Sequence, residues 1–89
     1  MKTSLIFIGT DISKESVDFI EKKNQDVLHF QCSNHLKSLK KYFKVTIKKY
    51  PDAIIYLAME NTGRYNWPLY LAIKDLDIKV FVIPALHLK

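Results

Sequence analysis

Two acidic residues close apolar runs that read as strands. Asp11 ends Ser4-Leu5-Ile6-Phe7-Ile8-Gly9-Thr10, and Glu60 ends Ala53-Ile54-Ile55-Tyr56-Leu57-Ala58-Met59. A carboxylate set against a buried strand is costly unless something positive compensates it, and a divalent metal is the usual compensator. Mg2+ or Mn2+ takes oxygen donors, keeps several waters and can be shared by an Asp and a Glu on adjacent strands. The chemistry open to such a pair is hydrolysis or strand transfer at a phosphodiester, where two ions about 3.5–4 Å apart neutralise the attacking and leaving oxygens. It takes three or four carboxylates, and Asp11 and Glu60 supply two. Either acid alone also reads as a solvated residue or a turn cap.

Other residues could serve an anionic ligand. Asn61, Thr62 and Gly63 open a helical segment whose free N–H groups can receive a phosphate, with Arg64 beside them, although helix capping by Asn61 or Thr62 fits equally. Six of the fourteen basic residues fall in one helical stretch that carries no acid. At 100° per residue, Lys37, Lys41, Lys44 and Lys48 form a stripe away from its apolar side, able to track a phosphate backbone or simply to face solvent. Tyr65 and Trp67 can stack on bases, but the spacing of Tyr65 with Leu69 favours core packing. His29, His35 and His87 lack metal-ligand spacing, Cys32 stands alone, and two glycines cannot build a phosphate-binding loop.

The elements that must position Asp11 and Glu60 follow from periodicity. Residues 4–11 accumulate apolar side chains as a central strand buried on both faces does. The segments 15–21 and 27–31 read as two further strands of an antiparallel meander. Ser33 or Asn34 can cap a helix to about Lys49, with Leu36, Leu39, Phe43, Ile47 and Tyr50 on one face and Pro51 ending it. A fourth strand spans 53–59, a second helix carries Tyr65, Leu69, Ala72, Ile73 and Leu76, and a last strand runs 78–83 to Pro84. The order β-β-β-α-β-α-β requires parallel pairing of the first, fourth and fifth strands. The carboxyl ends of the first and fourth then lie side by side, where open α/β sheets bind ligands. The pattern resembles a ribonuclease H-like mixed α/β sheet.

Eighty-nine residues make one domain, 1–89, with a globular composition of 48% hydrophobic and 26% charged residues. The net charge of +5 favours an anionic partner such as DNA without requiring one. The unpaired Cys32 suits a reducing, cytoplasmic setting, and no apolar stretch approaches the roughly 20 residues of a membrane span.

Three blocks carry a family resemblance: Ile8-Gly9-Thr10-Asp11-Ile12-Ser13-Lys14, then Met59-Glu60-Asn61-Thr62-Gly63-Arg64-Tyr65 with Pro68-Leu69, then Val80-Phe81-Val82-Ile83-Pro84-Ala85. Together they resemble the N-terminal part of DEDD transposases, the insertion sequence 110 family, which includes the Piv-type DNA invertases. The resemblance implies a RuvC-like fold with four acidic residues binding Mg2+ (or Mn2+), of which Asp11 and Glu60 match the first two. It implies DNA as substrate, a structured guide RNA as a further partner and a homo-oligomeric full-length protein. The other two acids and a catalytic Ser belong to segments past the Pro-Ala block, so the chain is expected to be truncated before the C-terminal helices and inactive alone. Two other readings stand beside this one. The first is a non-catalytic module of the same fold that binds nucleic acid or itself. The second is an actin-like nucleotide-binding lobe, for which Ile12-Ser13-Lys14-Glu15 lacks the required glycine hairpin.

Overall fold

The computed structural model describes residues 4–60 and 64–83. Three strands, β1 (Ser4–Ile12), β2 (Ser16–Lys23) and β3 (Asp26–Ser33), form an antiparallel meander. The first turn is held by Ser13, whose backbone N–H donates to the Ser16 carbonyl at 2.9 Å and whose hydroxyl donates to the same oxygen at 3.0 Å. In the second turn Asn24 adopts φ 56°, a left-handed conformation that Asn tolerates better than most residues. Helix α1 (Leu36–Lys49) leads to β4 (Ala53–Glu60), a 3-10 turn (Arg64–Asn66), α2 (Trp67–Ile73) and β5 (Ile78–Ile83).

The sheet order is β3-β2-β1-β4-β5, with β1, β4 and β5 parallel. The chain is thus an α/β unit built on a mixed five-stranded sheet and two helices. The expected element order is met in outline. The difference is the 3-10 turn, which takes up Tyr65 and shortens the second helix to start at Trp67 with Pro68 in its first turn, where a missing N–H costs nothing.

Alternate strand residues build the core. Ile6 and Ile8 of β1, Phe19 of β2 and Leu57 of β4 are buried with Leu39 and Phe43 of α1 and Leu69 and Ile73 of α2. Both helices therefore cover one face of the sheet. The other face has no cover among the described residues, and Leu5 and Phe7 of β1 stand exposed on it. The expectation that β1 is buried on both faces is corrected: the strand is central in order but half-covered in depth.

Two local expectations also change. The residue before α1 is His35, with no side-chain cap, because Ser33 belongs to β3 and Asn34 is engaged elsewhere. Tyr65 sits in the 3-10 turn at 38% exposure rather than in the core, since the phase of α2 begins after it.

Candidate functional site

The parallel β1–β4 register runs from Ser4↔Ala53 to Gly9↔Ala58. Asp11 and Glu60 lie two residues further along their respective strands, so the register aligns them, and alternation puts both side chains on the uncovered face. Thr10 points the other way, and its hydroxyl donates to the Ala58 carbonyl at 2.9 Å, tying the two strands just behind the acids. Asp11 and Glu60 line one depression of about 340 Å³ with Gly9, Ala58 and Ile83. A second depression of about 390 Å³ starts at Asp11 and extends over Asp18, Ile20 and His29.

Both carboxylates are exposed. Exposure spares them the desolvation cost that a metal would otherwise have to offset. What remains is placement: two oxygen-donor groups side by side at the carboxyl ends of adjacent parallel strands. Among the described residues, no group of three or more His, Cys, Asp or Glu side chains is assembled to hold a metal ion.

Asn34 braces the loops around this edge. Its side-chain amide donates to the Ser13 carbonyl at 2.8 Å and to the Tyr65 carbonyl at 3.0 Å, joining the turn after β1 to the turn after β4. The Asn66 amide in turn donates to the Glu60 carbonyl. The segment 61–63, with Asn61, Thr62 and Gly63, lies outside the described residues, as does the side chain of Arg64.

The basic stripe sits elsewhere. Lys37, Lys41, Lys44 and Lys48 are all exposed on α1, which covers the opposite face of the sheet from Asp11 and Glu60. The stripe is also divided. Lys44 and Lys48, with Lys40 and Lys74, rim a groove of about 600 Å³ between α1 and α2, whereas Lys41 borders a groove of about 480 Å³ towards β3. Trp67 is 61% exposed at the start of α2, stacked on Tyr70 with ring centroids 6.2 Å apart.

Two groups escape a reading of spacing alone. Asp18 stands directly opposite Asp11 in the β1–β2 ladder and accepts a hydrogen bond from the Gln31 amide at 2.8 Å. The signal for it was the hairpin turn, which fixes every cross-strand partner once its centre is known. Glu21 is 2% exposed on the helix-covered face. It accepts hydrogen bonds from the Tyr42 and Tyr50 hydroxyls, the latter at 3.0 Å, and pairs with Lys49 at 3.1 Å. Burial, reinforced by the Glu21 carboxylate, pushes both phenols above their ordinary range. Burial likewise raises the Cys32 thiol, which makes it a poorer nucleophile.

Comparison of the chain with protein-family models and with curated proteins finds no match in either. No described helix is long and apolar enough to cross a membrane.

Proposed function

We propose that the chain is the N-terminal part of a ribonuclease H-like (RuvC-like) catalytic domain of a DEDD transposase or site-specific DNA recombinase. In that reading Asp11 and Glu60 are half of a divalent-metal site for phosphodiester chemistry. The observation that carries it is the shared position of Asp11 and Glu60 on one face, at the carboxyl ends of adjacent parallel strands. The antiparallel meander joined to parallel β1, β4 and β5 supports the fold assignment.

The donor set fits Mg2+ or Mn2+, since both groups are hard oxygen donors with open solvent for the remaining waters. Bound there, the metal would supply charge neutralisation at the phosphodiester oxygens. Asp11 and Glu60 would hold it, Thr10 and Asn34 would keep the strand ends and loops in place, and a third or fourth carboxylate from outside the described residues would complete the set. DNA, a structured guide RNA and a homo-oligomeric parent protein belong to the same proposal.

Titration with Mn2+ followed by NMR tests it. Selective paramagnetic broadening centred on Asp11 and Glu60, lost in the Asp11→Asn, Glu60→Gln double variant, is the expected result. No broadening there at millimolar metal overturns the reading.

One observation favours the non-catalytic alternative, a nucleic-acid-binding module of the same fold. The α1 lysines lie on the layer opposite the acids, so a strand bound along the helix would not pass over them. Salt-dependent DNA or RNA binding that Asp11→Asn leaves unchanged, without site-specific Mn2+ broadening, selects this module.

A further inference from the structure

The groove of about 600 Å³ between α1 and α2 lies on the layer opposite Asp11 and Glu60. Its floor is apolar, made by Leu36 and Ile47 of α1, Leu71 and Ala72 of α2, and Leu76 just beyond. Leu36, Ile47 and Leu76 are half-buried and rest against the core, so part of their surface is already used by the fold. Leu71 is half-buried in the groove but lies outside that core cluster. Its apolar surface serves the groove rather than the interior.

The rim is basic. Lys40, Lys44 and Lys48 stand along the α1 side, with Lys74 and Asp75 at the end of α2. Lys74 pairs with Asp75 at 3.4 Å, whereas the three α1 lysines have no ion-pair partner among the described residues, and α1 has no acid to provide one. Lysines four residues apart on a helix repel one another, so the α1 rim is a row of charge that the fold leaves uncompensated. Successive lysines are about 6 Å apart along the axis, and the stretch from Leu36 to Lys48 is about 18 Å long, rather more than three helical turns.

Floor and rim together select the occupant. An acyl chain suits the floor but carries one charged end, which leaves most of the lysine row unmet. A nucleic-acid backbone matches the lysines through its phosphates and has no use for an apolar floor. A helix with an apolar stripe flanked by acids satisfies both, because its carboxylates recur at the same interval as the lysines. We propose that the groove takes an acidic amphipathic helix from a partner protein, its apolar stripe on Ile47 and Leu71 and its carboxylates on Lys40, Lys44 and Lys48. Asp11 and Glu60 stay open on the far side of the sheet, so this inference goes beyond the metal reading and the two fail separately. Lys37 and Lys41 of the basic stripe lie off the groove.

Fluorescence anisotropy of the 89-residue chain with a labelled peptide tests it. The probe is a helix of about 14 residues with a leucine stripe flanked by glutamates, and the control has the same composition scrambled to destroy the stripe. The patterned peptide should bind about ten-fold tighter or better, and its affinity should fall as salt rises. Leu71→Gln and Lys44→Glu should each weaken it about ten-fold or more, while Lys37→Glu should leave it within about two-fold. A peptide with Lys in place of its central Glu should regain binding to the Lys44→Glu variant, a rescue that needs that variant folded. Equal binding of the two peptides, or patterned binding indifferent to Leu71→Gln and Lys44→Glu, overturns the proposal. So does a duplex oligonucleotide or an anionic phospholipid vesicle whose binding falls with Leu71→Gln when the peptide's does not. Mn2+ broadening at Asp11 and Glu60, recorded with and without peptide, reports on the metal reading independently.

Discussion

Asp11 and Asp18 are cross-strand partners: the antiparallel β1–β2 register sets them opposite one another on the uncovered face. Like charges in that position repel, and the Gln31 amide that donates to Asp18 is neutral and offsets none of that charge. Asp18→Asn keeps a carbonyl for Gln31 and removes the repulsion. Measured by chemical denaturation of dilute protein at low salt, it should stabilise the fold by about 0.2–1 kcal/mol, and the gain should shrink as salt screens the pair.

Glu21 makes the opposite prediction. From β2 its carboxylate ties down Tyr42 and Lys49 of α1 and Tyr50 at the helix end, and the Thr46 hydroxyl donates to the Tyr42 carbonyl at 2.8 Å one turn on. Glu21→Ala leaves the buried Tyr42 hydroxyl without this acceptor and opens a void, which should cost about 3 kcal/mol in denaturant unfolding. Tyr42→Phe removes one charge-assisted bond and should cost about 1.5–3 kcal/mol.

The same cluster sets an alkaline limit. Folding keeps the Tyr42 and Tyr50 phenols protonated above their ordinary range, so the unfolded chain releases these protons first, as pH passes about 10. Beyond that point the folded state binds more protons than the unfolded state, and stability falls as pH rises. The contribution is therefore complete below about pH 10 and lost above it. Unfolding midpoints recorded between about pH 8 and about pH 11 should drop, and Tyr42→Phe should flatten the drop.

Asn34 offers a readout at the candidate site. Asn34→Ala removes two hydrogen bonds that join the turns after β1 and β4, a loss of about 1–2 kcal/mol. Hydrogen exchange should speed up at Ser13 and Ser16, and Mn2+ broadening at Asp11 and Glu60 should weaken even though neither acid is changed.

The α1 lysines predict a separable effect. If DNA binds along the helix, Gln at Lys41, Lys44 and Lys48 should lower the slope of log affinity against log salt by about 0.9 for each phosphate no longer neutralised. Mn2+ broadening at Asp11 and Glu60 should be unaffected, because the helix covers the opposite face.

Much of the framework was legible in the residues. The apolar runs, Pro51 and the helical spacing of Leu39, Phe43, Leu69 and Ile73 locate five strands and two helices, since periodicity is a local property of the chain. The alignment of Asp11 with Glu60 was also readable, because helical crossovers force β1 and β4 to run parallel. Three things were not. The start of α1 depended on Asn34 finding carbonyls in two distant turns, and Tyr65 left the core because Pro68 resets the helix start.

The third concerns depth. Hydrophobic period and crossover length act along the chain, so the parallel pairing and the residues at the strand ends are written into the order of the amino acids. Which face of the sheet the helices cover was settled in three dimensions. That choice left Asp11 and Glu60 in water beside Asp18, and it buried Glu21 where two phenols and a lysine could satisfy it. It also put the α1 lysines on the far side of the sheet from the acids. Strand alternation makes the two faces equivalent until something packs on one of them, so burial, and with it the electrostatics of every charged group here, belongs to the packing.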